Sequence, residues 1–393
     1  MDLSKRTNTP KGKPNTAMLI WIIVAGLAII LGGLLISTLT PYVLPRQGSA
    51  EAVQVDDLFR FMLAIGGMIF LLVQGVLLYS AVRFRAKPDD LSDGPPIHGN
   101  TTLELVWTII PSIVVLVLAI YSYQVWVNTR AILPNEQAID VVGQRFAWSF
   151  NYTATTEDLP AGVTLASLDE VVQADFADGG NVSFTSNQLH TWVNQPVRVS
   201  LTTPDVNHAF WIPDMRIKQD LLAGRVTDIR FTPIEVGVYR IVCAELCGSG
   251  HGDMAGTIGN DGTLLGAWVI VHPDEETYLR EFYYPELNRV IFPPEDPVEL
   301  GRQLISAQAC NSCHTLPELG WQGIVGPDLS GISTRIQRLA ASGNPTLEDY
   351  LHQSIREPGA YLAPGYNNLM PAFTEGQISE DQLNAIIAYL MTQ

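Results

Sequence analysis

The chain has 393 residues, 47% of them hydrophobic and only 16% charged, against about 25% charged in an ordinary soluble domain. That deficit points to membrane segments diluting a soluble remainder, and the apolar content excludes intrinsic disorder. A net charge of −17 argues against a nucleic-acid surface. The four cysteines are too few for an exported disulfide scaffold and fall in two tight pairs, Cys243/Cys247 and Cys310/Cys313.

Three uncharged stretches come first: Ala17–Leu39, Phe61–Val82 and Leu105–Val127. Each is long enough to cross a hydrocarbon core of about 30 Å as a helix. Basic residues set the orientation. Lys5, Arg6, Lys11 and Lys13 precede the first stretch, and Arg83, Arg85 and Lys87 lie between the second and third; the first loop holds only Arg46 and Arg60. This places the N-terminus and second loop in the cytoplasm, and everything after about Asn128 outside. The first stretch reads either as a retained anchor or as a secretory signal cut near Gly48-Ser49-Ala50.

The exported remainder changes texture twice. Over 131–273, short alternating runs broken by Gly, Pro, Asn and Asp predict an all-β sandwich, with strands at Ala138–Gly143, Val197–Thr202, Val226–Thr232 and Val236–Cys243. Thr155–Gly180 carries six acids (Glu157, Asp158, Asp169, Glu170, Asp175 and Asp178) and reads as an exposed insertion. Residues 274–296 read as a linker. From Pro297 apolar residues recur at helical steps over Val298–Ala309, Leu347–Arg356 and Ser379–Met391, predicting an all-α domain over 297–393.

The segment Cys243-Ala-Glu245-Leu-Cys247-Gly-Ser-Gly-His251-Gly-Asp-Met254 puts two thiols, an imidazole and a thioether within twelve residues, and His208 lies 35 residues before Cys243. Soft sulfur with imidazole selects copper or zinc, and a weak axial Met favours electron-transfer copper. A four-ligand zinc site and a disulfide are the alternatives. Two thiolates with two histidines suit a sulfur-bridged copper pair. The order C-x-E-x-C-G-x-G-H-x-x-M, preceded by D-x-x-H, resembles the dinuclear copper A (CuA) domain of cytochrome c oxidase subunit II. The resemblance implies a cupredoxin-like Greek-key fold. It also implies bridging thiolates Cys243 and Cys247, terminal ligands His208 and His251, and a weak axial Met254. Glu245 would then ligate through its carbonyl and turn its carboxylate to a magnesium site shared with subunit I.

The resemblance extends upstream. The two helices over 41–130 match the family's transmembrane hairpin, and Leu103–Pro111 resembles the start of its second helix. There Glu104 would stand at the mouth of a proton channel, although Thr101-x-x-Glu104 is equally a helix capping box. One departure concerns Phe146, which occupies the position of the tryptophan through which the family's soluble donor delivers electrons. Trp148 reads as a core aromatic.

Cys310-Asn-Ser-Cys313-His314 is the C-x-x-C-H pattern of covalent haem c, in which His314 supplies one axial nitrogen. Met370, in Asn368–Phe373, is the natural second axial ligand, and Gly326-Pro327-Asp328-Leu329 resembles the segment that class I cytochromes c pack against the haem edge. A zinc knuckle or redox pair shares the short motif.

Together these features resemble oxidases whose subunit II carries its own cytochrome c domain. They imply that a donor reduces haem c, haem c reduces CuA, and CuA reduces a haem–copper subunit I that converts O2 to water with proton pumping. The expected setting is a prokaryotic plasma membrane, with both metal domains on the outer face. A copper-A nitric oxide reductase subunit and a non-catalytic copper-delivery protein are the rival readings. The cytochrome segment holds nine acids and four arginines, so a basic donor, a cytochrome c or copper protein, would be steered to it.

Overall fold

The computed structural model describes residues 16–85, 99–177, 180–259, 262, 264–323, 325–334 and 346–393. Lys5, Arg6, Lys11, Lys13, Lys87 and Asp178 of the sequence reading lie outside them. The chain divides into two compact units, one of residues 1–46 and 54–126, the other of 47–53 and 127–393.

The first unit is helical: α1 (Thr16–Ser37), the single turn α2 (Thr40–Val43), α3 (Ala50–Arg83) and α4 (Thr101–Thr129). Among the described residues, three helices are long and apolar enough to cross a membrane, α1 being counted together with α2. Their apolar side chains are largely exposed, as lipid-facing residues must be. Where α1 crosses α3, Gly33 abuts Met68 and the Ala64 carbonyl so closely that a Cβ would lie 2.4 and 2.7 Å from them, the small-residue contact typical of packing between apolar helices. Phe61 and Tyr121 join α3 to α4 edge to face, centroids 5.7 Å apart.

The second unit begins with a β-rich domain. Its strands are β1 (Gln137–Gln144), β2 (Ala147–Ala154), β3 (Val182–Ser186), β4 (Leu189–Trp192), β5 (Val197–Thr202), β6 (His208–Ile212), β7 (Ile217–Leu221), β8 (Thr227–Phe231), β9 (Gly237–Arg240), β10 (Val242–Cys243), β11 (Thr257–Ile258), β12 (Leu264–Leu265) and β13 (Trp268–His272). A five-stranded sheet runs β3-β2-β1-β5-β8; smaller sheets run β10-β6-β7 and β4-β13-β9. Alternation fixes which face is inside: in β5, Val197, Val199 and Leu201 are fully buried while Arg198 is exposed. The cupredoxin-like fold expected from the sequence is therefore present.

Two expectations need correction. The acidic stretch 155–180 is not simply an exposed insertion: Glu157, Asp169, Glu170 and Asp175 are exposed, but Leu168, Val172 and Phe176 enter the core. The segment 274–296, expected as a linker, is helical and packed. Asp274 caps a helical run through Glu275–Tyr278, Leu279–Tyr283 and Tyr284–Ile291. Tyr278, Phe282, Tyr283, Leu287 and Ile291 bury against the sheet. The four-residue steps Tyr278–Phe282 and Tyr283–Leu287–Ile291 mark one helical face, which the Glu- and Tyr-rich composition conceals.

Among the described residues of 297–393 are the helices Pro297–Ala307, Leu347–Arg356 and Glu380–Leu390, and also a short antiparallel ladder of Thr315–Leu316 with Trp321–Gln322, so the segment is mainly rather than wholly helical. Each start is written locally. Asp296 caps the first ahead of Pro297, Thr346 caps the second, and Ser379 with Gln382 forms a capping box at the third. Their apolar faces share a core of Ile305, Leu351, Ile355, Leu383, Ile386 and Leu390.

Candidate functional site

Strands β6 and β10 pair antiparallel, with Cys243 opposite Phe210. His208 opens β6 and Cys243 closes β10, so the ladder sets imidazole beside thiol: His208 Nδ1 is 3.8 Å from Cys243 Sγ. The loop then returns Cys247, and the ligand atoms of His208, Cys243 and Cys247 lie within 4.8 Å of one another, all three residues buried. The turn His251–Met254 brings His251 Nδ1 and Met254 Sδ each to 3.5 Å from Cys247 Sγ. The Glu245 carbonyl lies 3.2 Å from Cys243 Sγ, while the Glu245 side chain is exposed. Each sulfur thus has its own imidazole and its own weak donor. All six residues expected at the copper site are brought together, and this compact S/N set fits a soft metal pair.

Asp205, three residues before His208, was quoted in the motif without a role. Its Oδ1 lies 3.0 Å from His208 Nε2, and its Oδ2 accepts from Arg145 N (2.9 Å) and Nε (3.2 Å). Holding Nε2 this way leaves Nδ1 facing the sulfur. Burial opposes charge on His208, but hydrogen bonds to Asp205 and Cys243 outweigh it and raise His208 to about 9. Burial likewise opposes the Cys243 thiolate, yet His208 and backbone N–H groups bring that thiol below its ordinary value. Cys247 is pushed up to about 12 by burial and by the neighbouring Cys243 charge. Trp148, expected as a core aromatic, is buried, and it also donates from Nε1 to the Met254 carbonyl at 3.0 Å.

The second site is an apolar cavity in the helical domain. Cys310, Cys313, His314, Pro327 and Met370 all line it, with Leu329, Ile355 and Phe373 among its walls. His314 Nδ1 lies 2.8 Å from the Pro327 carbonyl, which orients the ring and leaves Nε2 free. A Cβ on Gly326 would meet that ring at 2.7–3.1 Å, so only glycine fits behind it. Burial, then the charge of its partner Cys313, pushes Cys310 up to about 12; burial, then the charge of Asp253, pushes Cys313 up to about 11. A reactive redox pair needs the opposite shift. An apolar cavity with two unionised thiols and one oriented imidazole fits a covalently held porphyrin. One part of the lining was not anticipated: Gln144, Arg145, Phe146 and Ala147, at and beside the β1–β2 turn, also line the cavity.

Glu104 sits at the start of α4. Its Oε1 accepts from Asn100 N at 3.2 Å, and Asn100 Oδ1 accepts from Leu103 N at 3.1 Å. The capping residue is therefore Asn100, one position before the Thr101 that the sequence favoured.

Comparison with known families matches residues 37–125 to "Cytochrome C oxidase subunit II, transmembrane domain", 137–260 to "Cytochrome C oxidase subunit II, periplasmic domain" and 296–390 to "Cytochrome C oxidase, cbb3-type, subunit III". A cytochrome c oxidase subunit 2 of Synechocystis is 37% identical over 232 residues, which cover 54% of this chain and 70% of that one. One from Thermostichus vulcanus is 33% identical over 302 residues, covering 67% and 85%. One from Alkalihalophilus pseudofirmus is 26% identical over 347, covering 86% and 87%. With its transmembrane helices, cupredoxin-like domain and cytochrome c domain, the chain belongs to the cytochrome c oxidase subunit II family.

Proposed function

We propose that this chain takes one electron at a time from a donor onto haem c, passes it to a dinuclear CuA centre, and hands it to a subunit I that reduces O2 to water with proton pumping. Family membership already makes it the electron-input subunit of an oxidase, a membrane protein carrying CuA copper and haem. One-electron exchange is the chemistry these groups supply when bound. The chain holds, orients and dries them.

Cys310 and Cys313 would hold the haem covalently, with His314 and Met370 as its iron ligands and the Pro327 carbonyl fixing the His314 ring. Cys243, Cys247, His208 and His251 would hold the copper pair, with Met254 and the Glu245 carbonyl as weak donors. The exposed Glu245 carboxylate is free to meet a magnesium ion at the subunit I face. The arrangement that excess basic residues favour puts both metal domains on the outer face of a prokaryotic plasma membrane. The order haem then copper rests on one observation, the β1–β2 turn that walls the haem cavity and ties Arg145 to Asp205 beside His208.

Metal analysis, haem staining and EPR of the purified chain test this reading. Two coppers sharing one unpaired electron, together with one covalent haem, are expected. A single copper, or zinc, in the Cys243/Cys247 site would overturn it.

A further inference from the structure

The loop that carries Met370 runs from the end of the helix Leu347–Arg356 to the start of the helix Glu380–Leu390. Beside Met370 its ties are local: Tyr366 N donates to the Ala363 carbonyl (3.1 Å) and Leu369 N to the Asn367 carbonyl (2.9 Å). Pro371 follows, with its φ locked at about −65° and no N–H to offer. Two residues further on, the chain is fastened to a helix. Phe373 N donates to the Ile355 carbonyl at 3.2 Å, and Arg356 Nη1 donates to the Phe373 carbonyl at 2.9 Å. The same guanidinium turns Nη2 to Glu380 Oε2 at 3.2 Å, and Glu380 Oε1 lies 2.8 Å from His352 Nε2. One arginine thus joins the last turn of one helix, the loop, and the first turn of the next. Its side chain is only 15% exposed. Arg356 does not line the haem cavity, whereas Ile355, Met370, Pro371 and Phe373 do.

We propose that Arg356 is a positioning residue for the axial thioether: by holding the Phe373 carbonyl to the end of the helix Leu347–Arg356, it keeps Met370 at the iron. This rests on Met370 as the second iron ligand, as proposed above. A thioether sulfur is a weak donor, so its hold on the iron depends on the loop behind it. The stiff Met370–Pro371 step carries a fixed Phe373 back to the sulfur. An exposed ion pair with Glu380 alone would add little. The charge-assisted bond from a mostly buried guanidinium to a backbone carbonyl is the stronger tie.

The test uses the full chain in detergent, loaded with haem and copper, in the ferric state. The methionine-to-iron charge-transfer band is read as the difference before and after saturation with imidazole, which displaces the thioether: the iron–sulfur bond breaks, an iron–nitrogen bond forms, and the iron stays ferric. Arg356→Gln is expected to bind imidazole about tenfold more tightly than the parent, with a weaker methionine band. Arg302→Gln is the control, since Arg302 pairs with Glu299 inside its own helix at 2.6 and 2.8 Å; it should keep the parent's affinity. If Arg356→Gln fails to take up haem, Arg356→Leu replaces it, with the same expectation. Parent-like imidazole affinity in a loaded Gln or Leu variant overturns the role of Arg356, and so does an equal rise in Arg302→Gln. Absence of the methionine band in the parent overturns Met370 as ligand, and the brace with it.

Discussion

The two candidate sites are built in opposite ways. The copper site is local: one strand pair and one twelve-residue loop bring its donors within hydrogen-bonding distance of each other, and Asp205, Arg145 and Trp148 hold them there. The haem cavity is tertiary: helices, the loops at Pro327 and Met370, and a turn from the β-rich domain line one apolar cavity. The donors of the first contact one another directly, whereas the walls of the second would pack on a porphyrin. Losing a cofactor should therefore damage the two regions unequally.

The largest effect is expected from Cys310→Ala with Cys313→Ala. Covalent haem is lost, the helical domain loses cooperative melting, and the copper EPR signal persists because none of its donors leans on the porphyrin. Haem staining with EPR on one sample checks this. Loss of the copper signal as well would break the contrast.

Next is Asp205→Asn. The substitution weakens the tie to His208 Nε2 and to Arg145, and loss of such an outer partner costs about 10–100-fold in metal affinity. Copper content under a competing chelator measures it. The cysteines stay in place, so the fold should survive with an unchanged far-ultraviolet spectrum.

The same contrast explains what the sequence could tell. Cys243, Cys247, His251 and Met254 are legible because their site is nearly contiguous, and Cys310, Cys313 and His314 because haem attachment demands that spacing. His208 was reachable through its resemblance. Arg145 was not, since its link to Asp205 joins the β1–β2 turn to the segment before β6 across 60 positions and no local pattern encodes it. Strand positions such as Val197–Thr202 follow alternation and were placed to the residue. The segment 274–296 hides its helix because its buried face mixes tyrosine and phenylalanine with only Leu287 and Ile291, with glutamates between, and reads as polar until the helix sorts one side from the other.

A third substitution probes the haem side more gently. Gly326→Ala places a methyl against the His314 ring. Since His314 is also held by Pro327, the ring must tilt or the loop must shift, at about 1–3 kcal/mol. The melting midpoint of the helical domain should fall and the haem potential move, with the copper spectrum unaltered.

Its copper-side counterpart is Trp148→Phe, with the smallest expected effect. The ring volume is largely kept, edge-to-face packing on Phe210 (centroids 5.3 Å apart) survives in altered form, and only the Nε1–H donor to the Met254 carbonyl is lost. An unpaired buried acceptor costs about 1 kcal/mol or somewhat more. Met254 Sδ lies 3.5 Å from Cys247 Sγ, so a backbone relaxing at Met254 displaces the weak donor before the thiolates. A shifted near-infrared copper band at full copper content, with the haem spectrum constant, is the expected result. An equal shift in the haem spectrum would mean that the two sites are less separable than their construction implies, with Trp148 transmitting strain through Phe146, two residues before it, which lines the haem cavity.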